Sequence, residues 1–157
     1  MIHQLLAVLW IYLPAYVANA APVVLGGGRP LDGGATWVDG KPLLGSHKTI
    51  RGCAVGMLAG ALVGVAQGWP TVGVVQGVGA ILGDLMSSFV KRRLDLEPGA
   101  SAPLLDQLDF IVVAALLSQP LTKASHQDLA TIILLTVPIH YLANFFSWLF
   151  KVKDRPW

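Results

Sequence analysis

Five apolar stretches fill most of this chain, each close to the ~20 residues that a helix needs to cross the core of a bilayer. Within a few residues they run 2 to 25, 53 to 69, 70 to 90, 104 to 122 and 129 to 150. With 54% hydrophobic and 13% charged residues, a chain of 157 residues has too little polar surface to cover a water-soluble globule. The expected fold class is all-α integral membrane: one domain over 1–157, five transmembrane helices, and cytoplasmic loops at about 26–52 and 91–105. Pro14, Pro22 and Pro138 predict kinks, which membrane helices tolerate because neighbours re-satisfy the freed backbone groups. The run Ala18-Asn-Ala-Ala-Pro22 resembles a cleavage site, but no positive segment precedes it, so an uncleaved first helix is expected.

Charge sets the expected orientation. Of the 11 basic residues, all but Lys123 lie before the second stretch, after the third or after the fifth. Five crossings put those three segments on one side, and the positive-inside rule makes that side cytoplasmic, with the N-terminus outside and the C-terminus inside. A plasma-membrane protein whose functional face meets the cytoplasm follows. The net charge of +2 argues neither for nor against nucleic acid, and none is expected as a partner. Cys53 is the only cysteine, so no intrachain disulfide exists.

Glycines 52, 56, 60, 64 and 68 recur at every fourth position of the second stretch. On a helix they form one stripe without side chains, where another backbone can approach closely. Gly73 and Gly77, beyond a tight turn at Gln67-Gly68-Trp69-Pro70, make the third helix the expected partner.

Asp84 interrupts an otherwise uncharged run of more than twenty residues. On a helix it shares a face with Ser87 or Ser88 and with Lys91, and lies about 10 Å deeper than Lys91 at ~1.5 Å per residue. An ionisable group at that depth marks a functional site or an internal ion pair with another helix. Asp106 and Asp109, three residues apart at the start of the fourth stretch, reach the same level. Three carboxylates at one depth repel unless a cation sits among them, and hard oxygen ligands beside a basic cluster suit Mg²⁺. The expected metal ligands are Asp84, Asp106 and Asp109.

The first long loop is rich in glycine and carries Lys41, His47, Lys48 and Arg51, a composition that suits phosphate binding. It is not a Walker A loop, because Ser46 and His47 separate Gly45 from Lys48-Thr49 and no strand precedes it. A polyanion site and a metal site at one membrane surface suit transfer between a soluble nucleotide and a lipid headgroup. A lipid phosphomonoester is already largely anionic at pH 7, its second pKa being near 6. Such a nucleophile requires no general base, only charge neutralisation and alignment.

Ser88-Phe-Val-Lys91-Arg92 followed by Asp106-Gln-Leu-Asp109 resembles the signature of CTP-dependent phosphatidate cytidylyltransferases. That family carries Arg where Gln107 stands, and a second Lys-Asp and a His-Gly-Gly that the loop lacks. A closer resemblance is to its archaeal branch, the CDP-archaeol synthases. It is carried by Leu31-Asp-Gly-Gly34 with Asp39-Gly40, by Leu44-Gly45 with Lys48-Thr49 and Arg51-Gly52, and by the run from Gly83-Asp84 to Asp109-Phe110. The resemblance implies transfer of a cytidylyl group from CTP to 2,3-di-O-geranylgeranylglycerol 1-phosphate, with Mg²⁺, giving CDP-archaeol and pyrophosphate in phospholipid biosynthesis. It implies catalytic roles for Asp84, Lys91, Arg92, Asp106 and Asp109. Nucleotide contacts would come from Asp32, Gly33, Gly34, Asp39, Gly40, Lys48, Thr49, Arg51, Ser87 and Ser88. The expected partners are CTP, the lipid phosphate and the bilayer; no oligomeric state is read from the residues.

Two other readings stand beside it. A small transporter would use Asp84 with His140 and Asn144 as an ion or proton path, although that pair, one helical turn apart, is expected to be a packing hydrogen bond. A nucleotide-dependent lipid kinase would need a base for a hydroxyl acceptor, and the cytoplasmic face offers none evident.

Overall fold

A computed structural model describes residues 2–152. Among them the chain forms five α-helices: α1 (Ile2–Leu25), α2 (Ile50–Ala66), α3 (Pro70–Arg93), α4 (Leu105–Thr122) and α5 (His126–Leu149). All five expected stretches are helical, and the ends differ for local reasons. Thr49 caps α2 by accepting from the Gly52 amide at 3.0 Å, so α2 starts at Ile50. Ser125 and Asp128 form a capping box that starts α5 at His126. α3 runs on through Lys91, Arg92 and Arg93, cations that complement the negative end of its dipole. By length and composition α1, α3 and α5 are able to cross a membrane, whereas α2 is apolar but only 17 residues long. Met1 and residues 153–157, with the expected cytoplasmic cations Lys153 and Arg155, lie outside the described residues.

α3 is the central helix, packed against α1, α2 and α4. The glycines decide this arrangement. A Cβ on Gly60 would lie 2.7 Å from the Gly77 Cα, and one on Gly64 would strike Gly73, so α2 and α3 meet backbone to backbone as expected. The same stripe takes α1, since a Cβ on Gly56 would come within 2.8 Å of the Ala18 carbonyl oxygen. A second pair was not anticipated: Gly79 faces the Ala114 backbone and Gly83 faces the Asp109 carbonyl, bringing α4 onto the opposite side of α3.

Polar atoms are buried where backbone groups need them. Pro14 has no N–H for the Trp10 carbonyl, and the Gln67 side chain donates to that oxygen at 2.6 Å. Gln76, fully buried, donates to the Ile11 carbonyl and the Ser118 hydroxyl. Tyr16 and Thr136 share a hydrogen bond of 2.6 Å that ties α1 to α5. Leucines and aromatics face outward on every helix, among them Leu62, Leu116, Leu134 and Phe146, the distribution of a protein whose surroundings are apolar.

Candidate active site

The site is built where the first loop and the α3–α4 connection meet. The loop is ordered by short bridges, Pro30 to Thr49 and Thr36 to Pro42, and by Asp32, whose carboxylate accepts from the amides of Gly34, Leu44 and Gly45 at 2.9 to 3.2 Å. Slight desolvation raises the Asp32 pKa, but these amides outweigh it and hold the carboxyl below its usual range. Two ion pairs clasp loop to helix end: Lys41 with Asp95 at 2.7 Å, and Arg93 with Asp39 at 2.9 Å. The Arg93 guanidinium also lies over the Phe89 ring, which Trp37 meets edge-on.

Beneath this clasp lies a cavity of about 600 Å³. α3 contributes Asp84, Ser88, Lys91 and Arg92; α4 contributes Asp106 and Asp109; the loop contributes Lys48 and Thr49. All five expected catalytic residues therefore converge on one space. Gly83, where α3 meets the Asp109 carbonyl of α4, allows Asp109 to stand beside Ser87, one helical turn along α3 from Asp84.

Charge within the cavity is paired. Lys48 Nζ donates to both oxygens of Asp84 at 2.6 Å. Lys91 Nζ bonds Asp106 at 2.7 Å, and the other Asp106 oxygen accepts from the Ala102 amide. Arg92 differs: it is 5% exposed, donates to the Glu97 carbonyl, leaves Nε without a partner, and has no carboxylate at ion-pair distance among the described residues. A buried guanidinium in that condition is ready for a bidentate anion. The loop makes room for it, because a Cβ on Gly45 would come within 2.9 Å of Arg92 Nη1.

Among the described residues no three His, Cys, Asp or Glu side chains stand close enough to share one metal ion. The donors still fit Mg²⁺, which is commonly held by one or two carboxylates with waters and substrate phosphates filling the remaining positions, and three hard-oxygen groups line this cavity.

Other expected nucleotide contacts stand outside the cavity lining. Asp32, Gly33, Gly34, Asp39 and Gly40 build the loop's turns, the three glycines at positive φ. Arg51 lies on the exposed first turn of α2, and Ser87 sits behind Asp84, its hydroxyl 3.5 Å from the Asp84 carbonyl. Conversely, Asn19, His47, Gln107, His140 and Asn144 line the cavity. They come from four separate segments; the phosphate-binding composition of the loop points to His47 and the spacing of one helical turn to His140 with Asn144, whereas nothing along the chain brings Asn19 and Gln107 to the same space. His140 and Asn144 do form the expected contact, at 3.3 Å.

Comparison with known proteins gives a consistent result. A family model described as CarS-like CDP-archaeol synthase matches residues 1–71 and 69–157. The CDP-archaeol synthase of Methanopyrus kandleri is 48% identical over 159 residues, which is 95% of this chain and 91% of that one. That of Methanocaldococcus jannaschii is 41% identical over 177 residues and the full length of both chains. A solved structure described as "Structural insight into an intramembrane enzyme for archaeal membrane lipids biosynthesis" is 40% identical, has a TM-score of 0.78, and matches 89% of this chain and 94% of that one.

Proposed function

We propose a reaction from one premise: this chain belongs to the CDP-archaeol synthase family. It is an integral membrane enzyme of the nucleotidyltransferase type. The reaction is transfer of the cytidylyl group of CTP to an ether-lipid phosphomonoester, 2,3-di-O-geranylgeranylglycerol 1-phosphate, with release of pyrophosphate. The observation that carries this reading is the convergence of Lys48, Lys91 and Arg92 with Asp84, Asp106 and Asp109 in one cavity of a largely apolar molecule.

In this mechanism a phosphate oxygen of the lipid attacks the α-phosphorus of CTP. One P–O bond forms, the bond to the β-phosphate bridge breaks, and pyrophosphate leaves with the electron pair. The attacking oxygen is already anionic near pH 7, so no side chain removes a proton. Arg92, a cavity cation with no carboxylate at ion-pair distance among the described residues, grips phosphate oxygens by its planar fork, and Lys48 and Lys91 neutralise charge that repels the nucleophile. Partial burial of these side chains, which are 11% to 30% exposed in the Lys48–Asp84 and Lys91–Asp106 pairs, strengthens their electrostatic contacts relative to bulk water. One or two of Asp84, Asp106 and Asp109 would hold Mg²⁺, with water and substrate phosphate oxygens as its other ligands, and the ion would supply further charge neutralisation.

Purified protein given α-labelled CTP, the lipid phosphate and Mg²⁺ should yield a labelled CDP-lipid. Label recovered as CDP beside a newly phosphorylated lipid would replace this reading with a kinase. No turnover of CTP alongside ion flux in vesicles would replace it with a transporter.

A further inference from the structure

We propose that Lys48 is a positioning residue that keeps Asp84 covered until a nucleotide draws its ammonium away, so that metal and nucleotide each bind well only in the presence of the other. The inference rests on the cavity being a nucleotide site, and it concerns how this chain's own charges are exchanged there.

The geometry points to exchange. One ammonium lies 2.6 Å from both oxygens of Asp84, so both are claimed by the same cation. The two side chains keep only 23% and 30% of their surface exposed, too little for water to replace a lost partner cheaply. A divalent ion approaching Asp84 meets a like charge already seated there and must displace it. The displaced ammonium then needs another anion, and neither neighbouring carboxylate offers an unclaimed pair of oxygens: Asp106 holds Lys91 and the Ala102 amide, and Asp109 holds the Phe110 amide and the Ser87 hydroxyl. Metal alone therefore leaves Lys48 stranded next to Lys91 and Arg92. A phosphate chain alone faces the converse problem, because taking Lys48 strands Asp84. Together they complete both exchanges, the ammonium passing to phosphate oxygens and the carboxylate to the metal.

Lys48 is built for such a movement. Its backbone is fixed, with the carbonyl accepting from the Leu31 amide at 2.7 Å and the next residue capping α2, while four methylenes separate that anchor from the charge. The side chain is thus free to swing inside the cavity without refolding the loop. Lys91 and Asp106 repeat the construction at 2.7 Å with side chains 11% and 24% exposed. There, however, Lys91 also bonds the Ala100 carbonyl, which keeps a partner in place if Asp106 leaves. Lys48 is accordingly the side chain on which the coupling falls.

Binding of Mn²⁺, followed by its electron paramagnetic resonance signal in detergent, tests this in the absence of turnover, with CTP binding measured separately in EDTA. Wild-type protein should bind Mn²⁺ weakly alone and more tightly with CTP present, by a factor within the usual coupling range of about 5 to 150. Lys48→Met should tighten Mn²⁺ binding without nucleotide by a similar factor, while Lys48→Arg, which still covers Asp84, should not. Asp84→Asn should tighten CTP binding in EDTA, because Lys48 is then unclaimed. A purely structural Lys48 would leave Mn²⁺ affinity unchanged or lowered in Lys48→Met, and that result overturns the proposal while leaving the nucleotide site intact. Wild-type protein that binds Mn²⁺ equally with and without CTP overturns it as well. Wild-type protein that binds no CTP at any Mn²⁺ concentration overturns the nucleotide reading itself, and the exchange with it. Should Lys48→Met fail to fold, the Asp84→Asn result in EDTA decides, an unchanged CTP affinity counting against the exchange.

Discussion

At the scale of single residues, Asp84 is where sequence and structure weigh differently. Its depth in an uncharged run marks it as functional, and the same depth is compatible with an ion pair. The structure contains that pair, made with a loop lysine rather than with a residue of another helix interior. Replacing Asp84 by Asn should therefore destabilise the ligand-free protein by about 1.5 to 3 kcal/mol, the range for a hydrogen bond to a charged group, because Lys48 loses the opposite charge and one of its two acceptors. Thermal unfolding in detergent with EDTA measures this, and turnover should fall as well. Asp32, which the family resemblance places among the nucleotide contacts, makes its hydrogen bonds within the loop. Its folded pKa is depressed, so its stabilisation of the loop is present above the ordinary carboxylate range and fades as pH falls through the lower folded value. Hydrogen exchange at the Leu44 and Gly45 amides should accelerate through that acidic window, after correction for intrinsic rates, and Asp32→Asn should remove the pH dependence.

At the scale of elements, the glycines carry most of what could be read. The four-residue stripe of α2 foretold a close helix contact, and Gly73 and Gly77 correctly identified α3 as its partner. Gly79 and Gly83 belong to the same helix but lie on its other side, and their role depends on where α4 arrives. Gly60→Ala and Gly83→Ala should each lower stability by about 1 to 3 kcal/mol, since each Cβ meets backbone that no rotamer change relieves. Only Gly83→Ala displaces α4 at Asp109, so it should reduce turnover well beyond Gly60→Ala at matched stability loss. Unfolding midpoints and initial rates on the same detergent preparations check both halves. The helix ends were legible to within a few residues, and the remainder depended on caps such as Thr49 and Ser125, whose hydroxyls act only once the next turn is helical.

At the scale of the whole molecule, the cations of the first loop and of the end of α3 gather at one end of the bundle, held by the Lys41–Asp95 and Arg93–Asp39 pairs, while Lys123 follows α4 at the other. With five crossings this face should meet the cytoplasm. In a background with Cys53 replaced by Ala, Ser101→Cys should resist an impermeant thiol reagent applied to intact cells, and Gln127→Cys should react with it; the reverse pattern would reject the N-outside orientation. Hydropathy, charge distribution and small-residue spacing are properties of short stretches, and a bilayer acts on each stretch separately, so the sequence by itself determined the membrane class, the helices, one helix pairing and the principal acidic and basic residues. Which lysine meets which aspartate, why Arg92 keeps a donor unclaimed, and how Asn19, His47 and His140 come to line one cavity with Asp84 depend on distances of a few ångströms between segments remote along the chain. Side-chain pairing and desolvation change steeply over such distances and no local pattern records them, which is why only the tertiary structure decided them.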